Sequence, residues 1–124
     1  MNIQILEGRG TTVAPTKRDL EVYKLMADLC KAFGDPKRLI IIAELRRGQK
    51  SVGDLARSLG APQAVVSRHL ALLRERGVVD ARREGTSVFY SLADPRVCEA
   101  CDIAHEILMT RIEKRHRLVE RPVG

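Results

Sequence analysis

Two sets of side chains in this 124-residue chain have the types and spacing to do chemistry. The first is C-E-A-C-D-I-A-H near the C-terminus, where Cys98, Cys101, Asp102, His105 and Met109 recur every three or four residues. On a helix that spacing makes one continuous stripe. Two thiols one turn apart can share a thiophilic ion. With Cys30 as a third sulfur the set suits trivalent arsenic or antimony, and with His105 it suits zinc or a similar ion. A thiol pair can also be oxidised or persulfidated. A bridge within one helix would constrain little, whereas a bridge from Cys30 would pin two helices. A third reading is packing: cysteine is a small buried hydrophobe in many cores. Cys101 lies on an apolar stripe, while the packing pattern makes no demand on Cys98. These readings stay open on sequence.

The second set is A-P-Q-A-V-V-S-R-H-L-A-L-L-R-E-R. Wound as a helix, it puts Val66, Leu70 and Leu73 on one face and Gln63, Ala64, Ser67, Arg68 and Ala71 on the other. An amide, a hydroxyl and a guanidinium bond to base edges and phosphates. The two alanines allow close approach to a groove. Arg74 and Arg76 lie where they can reach the flanking backbone. His69 stands beside Val66 at the edge of the buried face, placed either to touch a phosphate or to cap a packing seam.

These groups need a frame, and the chain supplies its punctuation. From Thr16 the residues Leu20, Tyr23, Met26, Ala27, Cys30 and Phe33 repeat with helical period, up to Gly34. Asp35 caps a second helix with Pro36 in its first turn, and that helix stops at Gly48. Ser51 and Asp54 form an S-x-x-D start for a short third helix ending at Gly60. Pro62 opens the fourth helix, closed by Gly77. Two helices joined by a turn this tight form a helix-turn-helix, whose second helix enters the major groove.

After Gly77 the period changes. V-V-D-A-R-R-E and T-S-V-F-Y-S-L read as two strands around a turn at Glu84-Gly85, a wing with Arg82 and Arg83 near its tip. Asp94-Pro95 starts a last long helix to about Leu118, with a narrow stripe of Val97, Cys101, Ala104, Leu108 and Ile112 suited to another helix. The expected architecture is mainly α: a winged helix-turn-helix of five helices plus a two-stranded β-hairpin wing. Its domain spans residues 16–119, after a flexible arm at 1–15 and before a disordered tail at 120–124.

Composition agrees. Lys and Arg number 22 against 16 Asp and Glu, a net charge of +6, which makes the domain a candidate for an anionic partner. Hydrophobic residues are 44% of the chain, so a core can form without disulfides or a structural cofactor. No apolar run approaches the length of a membrane span. The first residues lack a secretory leader, so the expected location is cytoplasmic, with free thiols. Enzyme readings lack support: there is no glycine-rich phosphate loop and no G-x-S-x-G, and the strands are too few for a thioredoxin-like Cys-x-x-Cys site. The alternative class is an interaction module whose basic helix docks on an acidic protein.

L-C-K-A-F-G-D-P-K-R-L-I-I-I-A-E-L, V-G-D-L-A, V-V-S-R-H-L-A-L-L-R-E-R-G-V-V and R-R-E-G-T-S-V-F-Y-S-L together closely resemble the ArsR/SmtB family of winged-helix repressors, over about residues 18–118. The resemblance implies a homodimer paired through its first and last helices, a double-stranded DNA operator with dyad symmetry, and release when an inducer binds. By position it puts Gln63, Ser67, Arg68 and His69 on the recognition helix, and Arg83 and Thr86 on the wing. Two family metal sites have no counterpart. Ser51 stands where one needs a cysteine. Asp94 is followed by Pro95 and Arg96, with Ile107 and Thr110 further on, where the other needs histidine and carboxylate. What the chain has instead is Cys98, Cys101 and His105, with Cys30, as candidate metal or redox residues; the alternatives are another ligand site or a regulator with no metal or redox sensing.

Overall fold

The computed structural model describes residues 14–120. Most of the expected arm and tail lies outside the described residues. The elements run α1 (Lys17–Ala32), α2 (Pro36–Leu45), β1 (Lys50–Ser51), α3 (Val52–Leu59), α4 (Gln63–Glu75), β2 (Val79–Glu84), β3 (Ser87–Leu92) and α5 (Arg96–Glu120).

Local sequence explains where each helix starts. Thr16 and Asp19 form a reciprocal box at the start of α1, with bonds of 3.1 and 2.9 Å. Asp35 accepts from the amides of Lys37 and Arg38 at the start of α2. Ser51 and Asp54 repeat the box at the start of α3. These side chains satisfy amides that have no partner inside the helix. α3 ends at Gly60, whose φ of 62° lies in the left-handed region that a Cβ disfavours. Two residues later α4 begins behind Pro62.

The core gathers where α2, α3 and α4 meet the sheet. Ile41, Leu55, Val66, Leu70 and Leu73 are completely buried, joined by Ile42, Leu45, Val78 and Val79. Burying each large aliphatic side chain stabilises the fold by roughly 1.5–3 kcal/mol before entropy is counted. This core fixes the angle between α3 and α4, and so decides which face of α4 looks outward.

The sheet differs from expectation. It has three strands in the order β1-β3-β2, not two, because Lys50 and Ser51 pair with Tyr90 and Phe89 on the free side of β3. The short strand satisfies part of an edge that would otherwise be bare. Two residues carry no alternation, and their sequence reads only as a helix start. The hairpin pairs Val79 with Leu92 through to Glu84 with Ser87, leaving Gly85 and Thr86 as its loop. Gly85 at the first loop position, with φ of 63°, suits the tight hairpin turn.

α5 departs from expectation in a second way. Of its predicted stripe, only Val97 and Cys101 pack against the core, whereas Ala104, Leu108 and Ile112 are exposed. Cys98, which the pattern did not require to pack, is 5% exposed and belongs to the core. The helix therefore docks by its first turns and then stands away from the body. From residue 102 to 118 every side chain is exposed, among them Ile103, Ile107, Leu108 and Met109. α1 is similarly bare: Leu20, Tyr23, Leu25 and Leu29 are exposed, and only Asp19 and Ala32 are buried.

Candidate nucleic-acid interface and thiol groove

α4 divides as its sequence predicts. Val66, Leu70 and Leu73 face the core, and Gln63, Ala64, Ser67, Arg68, Ala71 and Arg74 face outward. The outward face thus presents an amide, a hydroxyl and two guanidiniums between small residues. Arg68 and Arg74 have no hydrogen-bond or ion-pair partner among the described residues, so both are uncommitted. Arg76 is spent otherwise: its Nη1 lies 3.2 Å from Asp28 of α1, and its Nε is buried without a partner.

On the wing, Arg83 is exposed and uncommitted, and Thr86 is exposed in the turn. Arg82 donates to Gln49 at 2.9 Å and lies 3.4 Å from Glu84. Strand alternation puts Arg82 and Glu84 on one face and Arg83 on the other, with Ala81. The two arginines that looked equivalent in sequence therefore differ: Arg82 braces the wing against Gln49, in the link between α2 and β1, and Arg83 is available.

His69 occupies the packing seam. Its side chain is only 17% exposed, with Nε2 4.0 Å from Asp35 Oδ1. Its Nδ1 lies 3.3 Å from Arg38 Nη1. Both ring nitrogens thus face the corner between α1 and α2. Neither Arg38 nor Asp35 could be matched to His69 by spacing, because the contacts cross 31 and 34 positions of sequence.

The cysteines do not form one cluster. Cys98 is buried, Cys101 is half-buried and Cys30 is exposed on α1. Among the described residues no group of three or more His, Cys, Asp or Glu side chains is placed to hold a metal ion. Cys98 and Cys101 do share a groove of about 450 Å³ between α2 and α5, lined by Phe33, Leu39, Ala43 and Leu108, with Arg46, Asp102 and His105 on its rim. Burial pushes the Cys101 thiol up, the nearby Cys98 and Asp102 add to this, and Arg46 partly opposes it. A thiol so held is protonated at neutral pH, the less nucleophilic form. Asp102 is itself tied to Arg46, whose hydrogen bonds hold its carboxyl below the usual range. Among the described residues, the groove therefore offers two sulfurs and no third metal ligand is grouped with them.

A three-helix core with a helix-turn-helix, an outward polar recognition face and a β-hairpin wing defines a winged helix-turn-helix DNA-binding regulator. The family model for bacterial regulatory proteins of the arsR family matches residues 35–81. An uncharacterised HTH-type transcriptional regulator of Methanocaldococcus jannaschii is 40% identical over 89 residues, which cover 71% of this chain and 100% of that protein. The crystal structure of the transcriptional repressor BigR from Xylella fastidiosa superposes with a TM-score of 0.63 at 32% identity, covering 74% of this chain and 95% of the other. The solution structure of a homodimeric winged helix-turn-helix domain from Mycobacterium bovis gives a TM-score of 0.61 at 25% identity, covering 91% and 99%. The chain belongs to the arsR family of bacterial regulatory proteins, and is a transcriptional regulator rather than an enzyme. No helix among its described residues is long and apolar enough to cross a membrane.

Proposed function

We propose that the protein is a homodimeric repressor that binds a dyad-symmetric duplex operator through α4 and the wing. The observation that carries this is the outward face of α4, where Gln63, Ser67, Arg68 and Arg74 lie exposed over a buried row of Val66, Leu70 and Leu73. Arg68 and Gln63 read base edges, Ser67 and Arg74 hold phosphates, and Arg83 with Thr86 on the wing extends the contact to the neighbouring backbone.

The bare apolar residues of α1 and α5 support pairing with a second copy, because so many exposed large apolar side chains on two helices mark an interaction surface. The homodimeric relative supports the same arrangement. Two recognition helices would then fit successive major grooves about 34 Å apart. Anything that shifts α5 against the body alters that spacing. Coupling of this kind is commonly worth about 1–3 kcal/mol.

The inducer reading attaches to Cys98 and Cys101. Their groove adjoins Arg46 and Asp102, the ion pair that links α2 to α5, so a thiol-directed ligand entering there would act on that joint. Two sulfurs suffice for an oxidant or persulfide, whereas a trivalent metalloid needs a third donor such as Cys30 of a second copy. His105 on the rim is the alternative donor for a zinc-like ion.

The deciding experiment is a gel shift of the protein on a randomised duplex library, sequencing what is retained. Enrichment of a palindrome is the expected result. Retention without any enrichment would reject the operator reading, and binding to acidic proteins in place of DNA would favour a docking module. Native mass spectrometry with arsenite, zinc and persulfide then tests the cysteines.

A further inference from the structure

Arg38 lies one helix away from the recognition face, yet its side chain makes three polar contacts. Nε donates to the carbonyl of Ala32 at 2.8 Å and Nη2 to the carbonyl of Lys31 at 3.0 Å. These are C-terminal carbonyls of α1, which need a donor from outside their helix. Nη1 lies 3.3 Å from Nδ1 of His69 on α4. A guanidinium has only donors, so Nδ1 accepts and the ring proton sits on Nε2, on the side of Asp35.

His69 follows Ser67 and Arg68 directly, so holding its ring fixes the rotation of α4 about its own axis. A second tie, Asp28 to Arg76, holds the far end of α4 to the same helix α1. The recognition helix is thus tied to α1 at its middle, through Arg38, and at its C-terminal end, through Arg76, and α1 is one of the two helices with a bare apolar face.

We propose that Arg38 is a positioning residue for operator recognition, acting through His69 to set the rotation of α4 against α1. This rests on the operator reading above and adds to it. It makes His69 part of the joint rather than a phosphate contact. It also separates two quantities: the joint controls discrimination between sequences, while general attraction to DNA comes from the exposed guanidiniums.

The test uses the full chain and two duplexes, one selected by the wild-type protein from a randomised library and one of scrambled sequence with the same composition. Arg38→Lys keeps the charge but cannot span three acceptors. It is expected to weaken binding to the selected duplex by about tenfold or more, and to the scrambled duplex by less than about twofold. His69→Ala is expected to give the same pattern. Combining the two should cost less than about twofold beyond either alone, because both break one joint. Wild-type affinity in Arg38→Lys, equal losses on both duplexes, or losses that multiply in the double variant would each overturn the proposal. Arg38→Met, which removes every donor, serves as a further check, with its thermal melt measured alongside. Failure of the wild-type protein to select any duplex would instead remove the operator reading, and this inference with it.

Discussion

Arg46 meets Asp102 through two parallel hydrogen bonds, 2.8 Å from Nη1 to Oδ1 and 3.0 Å from Nη2 to Oδ2. The first residue follows the end of α2 and the second lies in α5, so the pair spans the joint between the reading body and the outer helix. Both side chains are about half exposed, which lets water screen their attraction. The fork geometry gives direction more than stability. It aligns α5 where the buried contacts of Val97, Cys98 and Cys101 end.

Arg68→Ala should weaken operator binding by about tenfold to a hundredfold, the cost of one good base contact, with the thermal melt unchanged. Fluorescence anisotropy on the selected duplex measures it. Operator affinity equal to wild type would mean that α4 does not read bases.

Leu70→Ala should destabilise the fold by about 2–5 kcal/mol, because Leu70 is fully buried beneath the recognition face. Urea melts test this. A loss under about 1 kcal/mol would contradict the packing described for α4.

Leu108→Asp with Ile112→Asp should convert a dimer into monomers without unfolding the core, since neither side chain is buried in the single chain. Sedimentation velocity separates the species, and circular dichroism reports the fold. A double variant that still sediments as a dimer would move the pairing surface elsewhere.

Cys98→Ser should cost about 1–3 kcal/mol, since it places a hydroxyl in the core, while Cys101→Ser at the half-buried site should cost less than about 1 kcal/mol. Cys98→Ala with Cys101→Ala should keep operator affinity and lose release by arsenite or persulfide. Release that survives in the double variant would take the inducer away from these thiols.

Acid should destabilise the protein through its helix-start carboxylates. Hydrogen bonds from the Arg96 side chain and amide hold Asp94 at about 2, against an ordinary value of 3.8. Asp54 is lowered too, first by the Ser51 amide. At Asp35 burial works upward, but the amides of Lys37 and Arg38 outweigh it and the net direction is down. A carboxyl lowered on folding contributes stability above its unfolded value and loses it as pH falls through the folded value. Thermal melts should therefore drop between about pH 4 and 2. Asp94→Asn should flatten part of that drop, and an unaltered acid profile would assign the effect to other groups.

Much of this architecture was legible in short-range signals. Ser51 with Asp54, Asp35 before Pro36, and Gly60 before Pro62 each act within four residues, so sequence alone placed α2, α3 and α4 and the outward face of α4. What escaped was set by distant partners. β1 exists only because Tyr90 and Phe89 offer it an edge. Cys98 is buried because α5 leans on α2 at that point, which its own periodicity does not reveal. Arg38 was read only as part of a helix, although its side chain ends on a residue 31 positions away. The two wing arginines looked alike until Gln49 and Glu84 claimed Arg82.

The exposed length of α5 has a consequence for the cell. A helix that lacks a tertiary partner along most of its course is marginal in water and opens readily. With a second copy covering it, as proposed above, its order would follow the number of copies present, through mass action. At low copy number the segment would then open more often to proteases, and scarce protein would be lost sooner than abundant protein.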